Sequence, residues 1–503
     1  MILQFFFLFF LTFFPTQADL PVHCLKSQIL GEWTIETSSH IQTDDGRVLC
    51  GHDSPDNAET SYKALIQLFE ATNSIKVDLK DDDTVVLNDD SKENGTWTMI
   101  YDEGFEIQLK GVKYFAFSSY EFDEKMLSVS HCDKTLVGWY YVLESKEKGC
   151  YRGYKTNANN ETGVTQSFKQ SLSELRKFKR TTTHLTSHRS IKTTHEAILK
   201  TLKNKPKSWE AGLDPMFKEM SLFEMNRFAG RRKFASHGEN KDYKHFARES
   251  VDDLPKEFDW KSLIQESVKQ SHCGSCYAFS TMEMAQARLK KKYDQDVKLS
   301  VQYSINCNYY NQGCEGGYPS LVTKFGSEFQ FVEESCLNYT ATNGKCSDAC
   351  DVSKLDKVYK VTNYYFVGGA YGKCTERLMM IELRDNGPFM VSFEPGMDFM
   401  YYKKGIYHSV LAADWIVKGK NQPDWEKVDH SVLLVGWGEE QGEKFWVVQN
   451  SWGPDWGENG LFRIRRGTDE SGIESMCEAA ELEMVENQKS LLHLFKKKSN
   501  LVF

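Results

Sequence analysis

With 503 residues, the chain has room for about three domains of ordinary size. It is 40% hydrophobic and 26% charged, which excludes a wholly disordered polypeptide. The net charge of −9 lacks the basic footprint that nucleic-acid binding requires.

The first segment, Met1 to Pro15, is apolar and rich in phenylalanine but too short for a membrane span. Thr16-Gln17-Ala18 follows as a small-x-small cleavage pattern, so residues 1–18 read as a signal peptide rather than an uncleaved anchor. No later stretch is long and apolar enough to span a bilayer. Secretion sends the 13 cysteines to an oxidising compartment, and the odd count leaves at least one thiol without an intramolecular partner. Three glycosylation sequons, at Asn94, Asn160 and Asn338, fit the same route.

Residues 19–155 carry short alternating runs: Thr96–Tyr101, Phe105–Leu109, Lys113–Phe117, Met126–Val129 and Leu136–Tyr140. Turn residues separate them, which predicts an antiparallel barrel or sandwich. Cys24, Cys50, Cys132 and Cys150 lie here without metal-site spacing and are expected to form two disulfides.

Residues 156–253 are polar and free of cysteine. Ser171–Lys179 and Lys207–Phe228 have helical periodicity, the latter anchored by Trp209, Met216, Met220, Phe223 and Met225. Arg231-Arg232-Lys233 opens a charged, turn-rich stretch that reads as a proteolysis site or a solvated loop.

From Leu254 to about residue 485 the chain reads as one enzyme-sized α+β domain of two lobes. A helix is predicted from Cys276 through Leu289. Strands are predicted at Val432–Val435, Phe445–Val448 and Leu461–Ile464. Residues 486–503 form a polar tail.

The chemistry centres on Cys273-Gly-Ser-Cys276-Tyr. A bare Cys-x-x-Cys also suits a redox pair or half a zinc site, but no βαβ unit precedes it and no second Cys/His pair follows closely. A thiol attacks a carbonyl only as thiolate, and a helix starting at Cys276 would place the sulfur at the positive end of the macrodipole. A nearby imidazolium would complete an ion pair. His430 opens an apolar run and could be a core histidine. However, Gln449-Asn450-Ser451-Trp452-Gly453 follows 20 residues later, and two antiparallel strands would bring Asn450 to its ring. Trp452 could then shield that hydrogen bond.

Cys276, His430 and Asn450, each within its motif, resemble the papain family of cysteine peptidases, as does Gln270, which matches the family's oxyanion-hole glutamine. The spacings to His430 and Asn450 are longer than usual, and residues 412–426 can absorb the excess. Gly313-Cys314-Glu-Gly-Gly317-Tyr-Pro319, Tyr402–Tyr407 and Phe462–Asp469 look like the cathepsin C, or dipeptidyl peptidase I, branch. Gln28–Trp33 and Tyr101–Ile107 look like that branch's exclusion domain.

This resemblance implies an all-β barrel (19–155), a partly helical propeptide (156–253) and a papain-like domain (254–485). It implies an exopeptidase that removes dipeptides from free N-termini through a Cys276 acyl-enzyme; an endopeptidase or an inactive binding homologue are the alternatives. It places Asp19, exposed by signal cleavage, against the substrate ammonium, with Glu315, Gly316, Gly317 and Trp452 as further substrate contacts. It implies the pairs Cys24–Cys132, Cys50–Cys150, Cys273–Cys314, Cys307–Cys346 and Cys336–Cys350, leaving Cys276, Cys374 and Cys477 free. A cut near Ala412–Asp414, an activating protease, a homotetramer and a lysosomal, vacuolar or secreted location follow in the same way. No metal or required cofactor is expected. The branch binds chloride through two tyrosine hydroxyls, but Ser320 and Phe366 stand at the matching positions here, which argues against a chloride requirement.

Overall fold

The computed structural model describes residues 22, 24–39, 48, 50, 69–89, 93–122, 128–156, 188–222, 224–225, 250–411 and 429–486. Asp19, Asn160, Ser171–Lys179, Arg231–Lys233, the 412–414 region and the residues beyond 486 lie outside these. Among the described residues no helix is long and apolar enough to cross a membrane.

Nine strands build the front unit: β1 (Gly31–Ser38), β2 (Ala71–Leu79), β3 (Thr84–Leu87), β4 (Asn94–Ile100), β5 (Gly104–Leu109), β6 (Val112–Phe122), β7 (Ser128–Thr135), β8 (Gly138–Val142) and β9 (Lys148–Lys155). They follow chain order round a sheet that β1 and β9 close by pairing Trp33 with Lys155. The long β6 pairs with β8 through Val112–Phe115 and with β7 through Ser118–Phe122. Those two strands share one stave, so nine strands make an eight-staved barrel. Alternation puts Trp33, Trp97, Phe105, Ile107 and Phe115 in its core. The disulfides Cys24–Cys132 and Cys50–Cys150 tie its ends.

The helix anticipated at Lys207–Phe228 does not run through that stretch: among the described residues helical backbone appears only at its end, at Leu222 and Glu224–Met225. That stretch holds β10 (Trp209–Ala211) and a 3₁₀ turn at Pro215–Phe217. Pro206, Gly212 and Pro215 break the α-helical ladder, and Trp209 finds strand partners instead. The helix lies upstream, at α1 (His188–Lys203). Its Leu202 packs with Phe217 and Met225 against the β-lobe.

The peptidase domain has a helical lobe and a sheet lobe. The helices are α2 (Cys276–Tyr293), α3 (Val301–Cys307), α4 (Pro319–Phe329) and α5 (Glu376–Asn386). The strands are β11 (Phe258–Asp259), β12 (Lys357–Phe366), β13 (Phe389–Phe393), β14 (Tyr402–Tyr407), β15 (His430–Glu440), β16 (Glu443–Gln449), β17 (Leu461–Arg465) and β18 (Met476–Glu486). They run β10-β14-β17-β16-β15-β13-β18-β12, with β11 beside β15. Helix α2 crosses the molecule's centre, with residues on every side of it buried, and Lys290, Lys291 and Lys292 in its last turn complement its dipole.

The structure forms the pairs Cys273–Cys314, Cys307–Cys346 and Cys336–Cys350. Cys374 and Cys477, expected as free thiols, are joined to each other. The loop before α5 lies beside β18, so 103 residues of sequence separation vanish in space. Cys276 is therefore the one free cysteine of the 13.

Candidate active site

The stretch before α2 holds the nucleophile candidate. Gly274 donates its N–H to Cys314 O at 2.8 Å while the neighbouring Cys273–Cys314 bridge locks the two loops together. A Cβ at position 274 would approach Cys314 O to 2.8 Å and Gly316 N to 3.6 Å, so only glycine lets this backbone pass so closely. Cys276 follows at the first position of α2 and is buried. Gly316 and Gly317, both at positive φ, continue the wall beside it.

His430 opens β15, and Asn450 directly follows β16. Antiparallel pairing of these strands, with Leu433 opposite Gln449, delivers the two side chains to each other. His430 Nε2 lies 2.8 Å from Asn450 Oδ1. His430 Nδ1 is buried with no hydrogen-bond partner among the described residues. The next residue, Ser431, directs its backbone N–H at the Cys276 sulfur, so Cys276 sits against the start of β15. The Trp452 ring lies 5.3 Å from the His430 ring and covers it, and Phe217 packs edge-on against Trp452 at 5.6 Å.

Gln270 is buried, with its Nε2 3.1 Å from Cys273 O and its Oε1 accepting from Ser451 Oγ at 2.6 Å. One side chain thus bridges the nucleophile's loop and the Asn450 segment, with its amide beside the start of α2.

Burial sets the protonation of the pair. Desolvation pushes the Cys276 thiol up to about 11, against the Ser431 and Tyr277 N–H groups that favour thiolate. Desolvation likewise drives His430 down to about 4, against the Asn450 hydrogen bond. In the full-length chain, then, burial works against the ion pair anticipated from the motif. A raised thiol pKa means the thiolate fraction grows with pH. Iodoacetamide labelling of the full-length chain should therefore accelerate about tenfold per unit between pH 7 and 10. With Cys276 the single free thiol, mass spectrometry reads this directly. A rate already flat from pH 5 would show a preformed ion pair.

The barrel reaches this cleft. The β4–β5 turn holds Tyr101 at φ 53°, a left-handed conformation unusual for a bulky residue. The Tyr101 ring packs on Tyr318 at 4.7 Å, and its Oη meets Ser392 Oγ at 3.2 Å. Ser392 pairs with Ser431, next to His430. Cys24 donates its N–H to Asp102 O at 2.7 Å, so the described start of the barrel is fastened to the same turn. Sequence reasoning missed Tyr101 and Ser392 as parts of the cleft; a non-glycine residue forced into a tight turn carries no sequence signal.

The chain matches the papain family cysteine protease profile over residues 254–481 and the cathepsin C exclusion domain profile over residues 19–155. It is 30% identical to a Schistosoma mansoni protein named cathepsin C, over 92% of this chain and 94% of that one. Dipeptidyl aminopeptidase 1 of Plasmodium falciparum is 25% identical over 91% of this chain and 92% of its own length. A Giardia intestinalis cathepsin B-like protein, CP2, is 30% identical but aligns with only 54% of the chain. The chain belongs to the papain family of cysteine peptidases and carries the cathepsin C exclusion domain in front of its peptidase domain.

Proposed function

We propose that the protein removes dipeptides from the free N-termini of peptides and proteins, with Cys276 as nucleophile. The observation that carries this reading is the barrel turn seated in the cleft, Tyr101 against Tyr318 and Ser392. A papain-like cleft left open along its length would accept chain interiors, whereas one closed by a second domain accepts only an end.

In this reading Cys276 Sγ attacks the scissile carbonyl carbon as its proton passes to His430 Nδ1, the ring nitrogen that no described group occupies. Asn450 holds the imidazole by Nε2 throughout. Gln270 and the Cys276 N–H stabilise the tetrahedral oxyanion, an effect worth about 3 kcal/mol per donor in comparable sites. The C–N bond breaks, His430 returns the proton to the leaving amine, and water hydrolyses the thioester. Glu315, Gly316 and Gly317 line the substrate path, and Trp452 keeps water from the His430–Asn450 bond. Asp19 supplies the carboxylate for the substrate ammonium, which requires signal cleavage after Ala18.

Residues 156–253 act as the propeptide. The packing of Phe217 on Trp452 and of Leu202 in the β-lobe core supports a segment held in place until an activating protease removes it. Six disulfides and the exposed Asn94 and Asn338 support passage through the secretory pathway to a lysosome, vacuole or the exterior. A homotetramer belongs to the same reading.

The test is a dipeptide reporter with a free amine beside its N-acetylated twin. The processed enzyme should cleave the free form about 100-fold faster, because acetylation both removes the charge and lengthens the chain past the blocked cleft. Equal cleavage would mean an endopeptidase.

A further inference from the structure

A cavity of ≈ 170 Å³ lies between the barrel and the peptidase domain, lined by Glu106, Lys113, Ser320, Tyr364, Phe366 and Glu478 among others. Glu478 is 3% exposed, and neither of its carboxylate oxygens completes a hydrogen bond. The Ser320 hydroxyl and backbone N–H approach the carboxylate and ease its charge, but Ser320 Oγ also completes no hydrogen bond. Burial raises the Glu478 carboxyl to about 8.

The charged and phenolic side chains beside it are engaged with one another or with neighbours. Lys113 sits 3.6 Å from Glu106 and 3.7 Å above the Tyr364 ring. Tyr364 donates to Glu106 at 2.9 Å and Tyr365 to Glu382 at 2.8 Å. Among the described residues no cationic side chain forms an ion pair with Glu478, and a buried carboxylate without one is costly.

Its position relates it to the cleft. Ser431, Ser392 and Met476 lie abreast on β15, β13 and β18, and Glu478 is two residues further along β18, opposite Met390. Met476, Glu478 and Ala480 share one face by alternation, and Met476 and Ala480 pack in the core that holds α2. Two strand spacings and two residues of rise place Glu478 roughly 12 Å from Ser431. An extended dipeptide spans about 7 Å, leaving the remainder to a long side chain on its first residue.

The cavity does not fit the chloride that the family resemblance implies. Phe366 has no hydroxyl and Ser320 offers only one, so the two-hydroxyl cradle for the anion is not formed.

Resting on the dipeptide-releasing reading above, we infer that this cavity receives the side chain of the substrate's N-terminal residue and that Glu478 selects a guanidinium or ammonium group there. A cation entering the cavity lets the carboxylate ionise and supplies the partner that no described side chain provides.

The experiment compares two free-amine reporters on the processed wild-type enzyme. They differ only in an N-terminal arginine or its uncharged isostere citrulline. The arginine reporter should have a kcat/KM about tenfold higher, the factor of one charge-assisted hydrogen bond. Glu478→Gln should bring the ratio to about 1. A wild-type ratio near 1, or an unchanged ratio in Glu478→Gln, overturns the cation pocket and leaves dipeptide release standing. Activation of the dialysed enzyme by added chloride overturns it as well. If neither reporter nor a glycine-led one is turned over, dipeptide release falls together with the pocket. The wild-type comparison needs no variant to fold.

Discussion

Cys276→Ala should reduce kcat by at least about 10³-fold, since residual catalysis without a nucleophile rests on binding and the oxyanion donors alone. The prediction is sharp because no other thiol can substitute: the remaining twelve cysteines are paired. The variant should fold. The thiol makes no structural bond, and alanine has the higher helix propensity at the first position of α2. Steady-state turnover of the free-amine reporter, with circular dichroism as the control, checks this. Activity above a tenth of wild type in a folded variant would place the nucleophile elsewhere.

The largest expected stability effect comes from Arg288, on the buried C-terminal half of the same helix. Its Nη2 lies 2.7 Å from Glu382 Oε1 on α5, its Nε donates to Pro388 O at 2.9 Å, and its Nη1 donates to Ala480 O at 3.1 Å. One side chain thus fastens α2 to α5, to β18 and to the entry of β13. Arg288→Ala would leave the Glu382 charge and two carbonyls buried, at a cost of about 3–5 kcal/mol. Chemical denaturation followed by tryptophan fluorescence should show it. Arg288→Met with Glu382→Gln should recover much of the loss, because removing both charges avoids the orphaned carboxylate. A loss under 1 kcal/mol for Arg288→Ala would show that the pair is solvated rather than buried.

The chemistry of the centre was legible in the chain because it is local. Cys276 lies in a run that starts a helix, His430 begins an apolar strand, and Asn450 follows the next strand by a turn. Short-range rules govern each of these, and one hairpin joins the last two. The strands of the barrel were legible for the same reason, since alternation with period two marks Thr96–Tyr101 and Phe105–Leu109 without knowledge of their neighbours. The Lys207–Phe228 stretch misled because its apolar spacing imitates one long helix while Gly212 and Pro215, inside it, interrupt the ladder before Leu222.

The sequence alone determined which groups can react: a thiol, an imidazole, the amide that orients it, and the glutamine that can steady an oxyanion. Only the tertiary structure decided what surrounds them. It laid Cys374 beside Cys477, set Tyr101 of the barrel against Ser392, and placed the buried Glu478 carboxylate in the wall of a cavity. Each of these depends on which strands become lateral neighbours across a hundred residues or more. That order emerges from global packing, which no local pattern encodes.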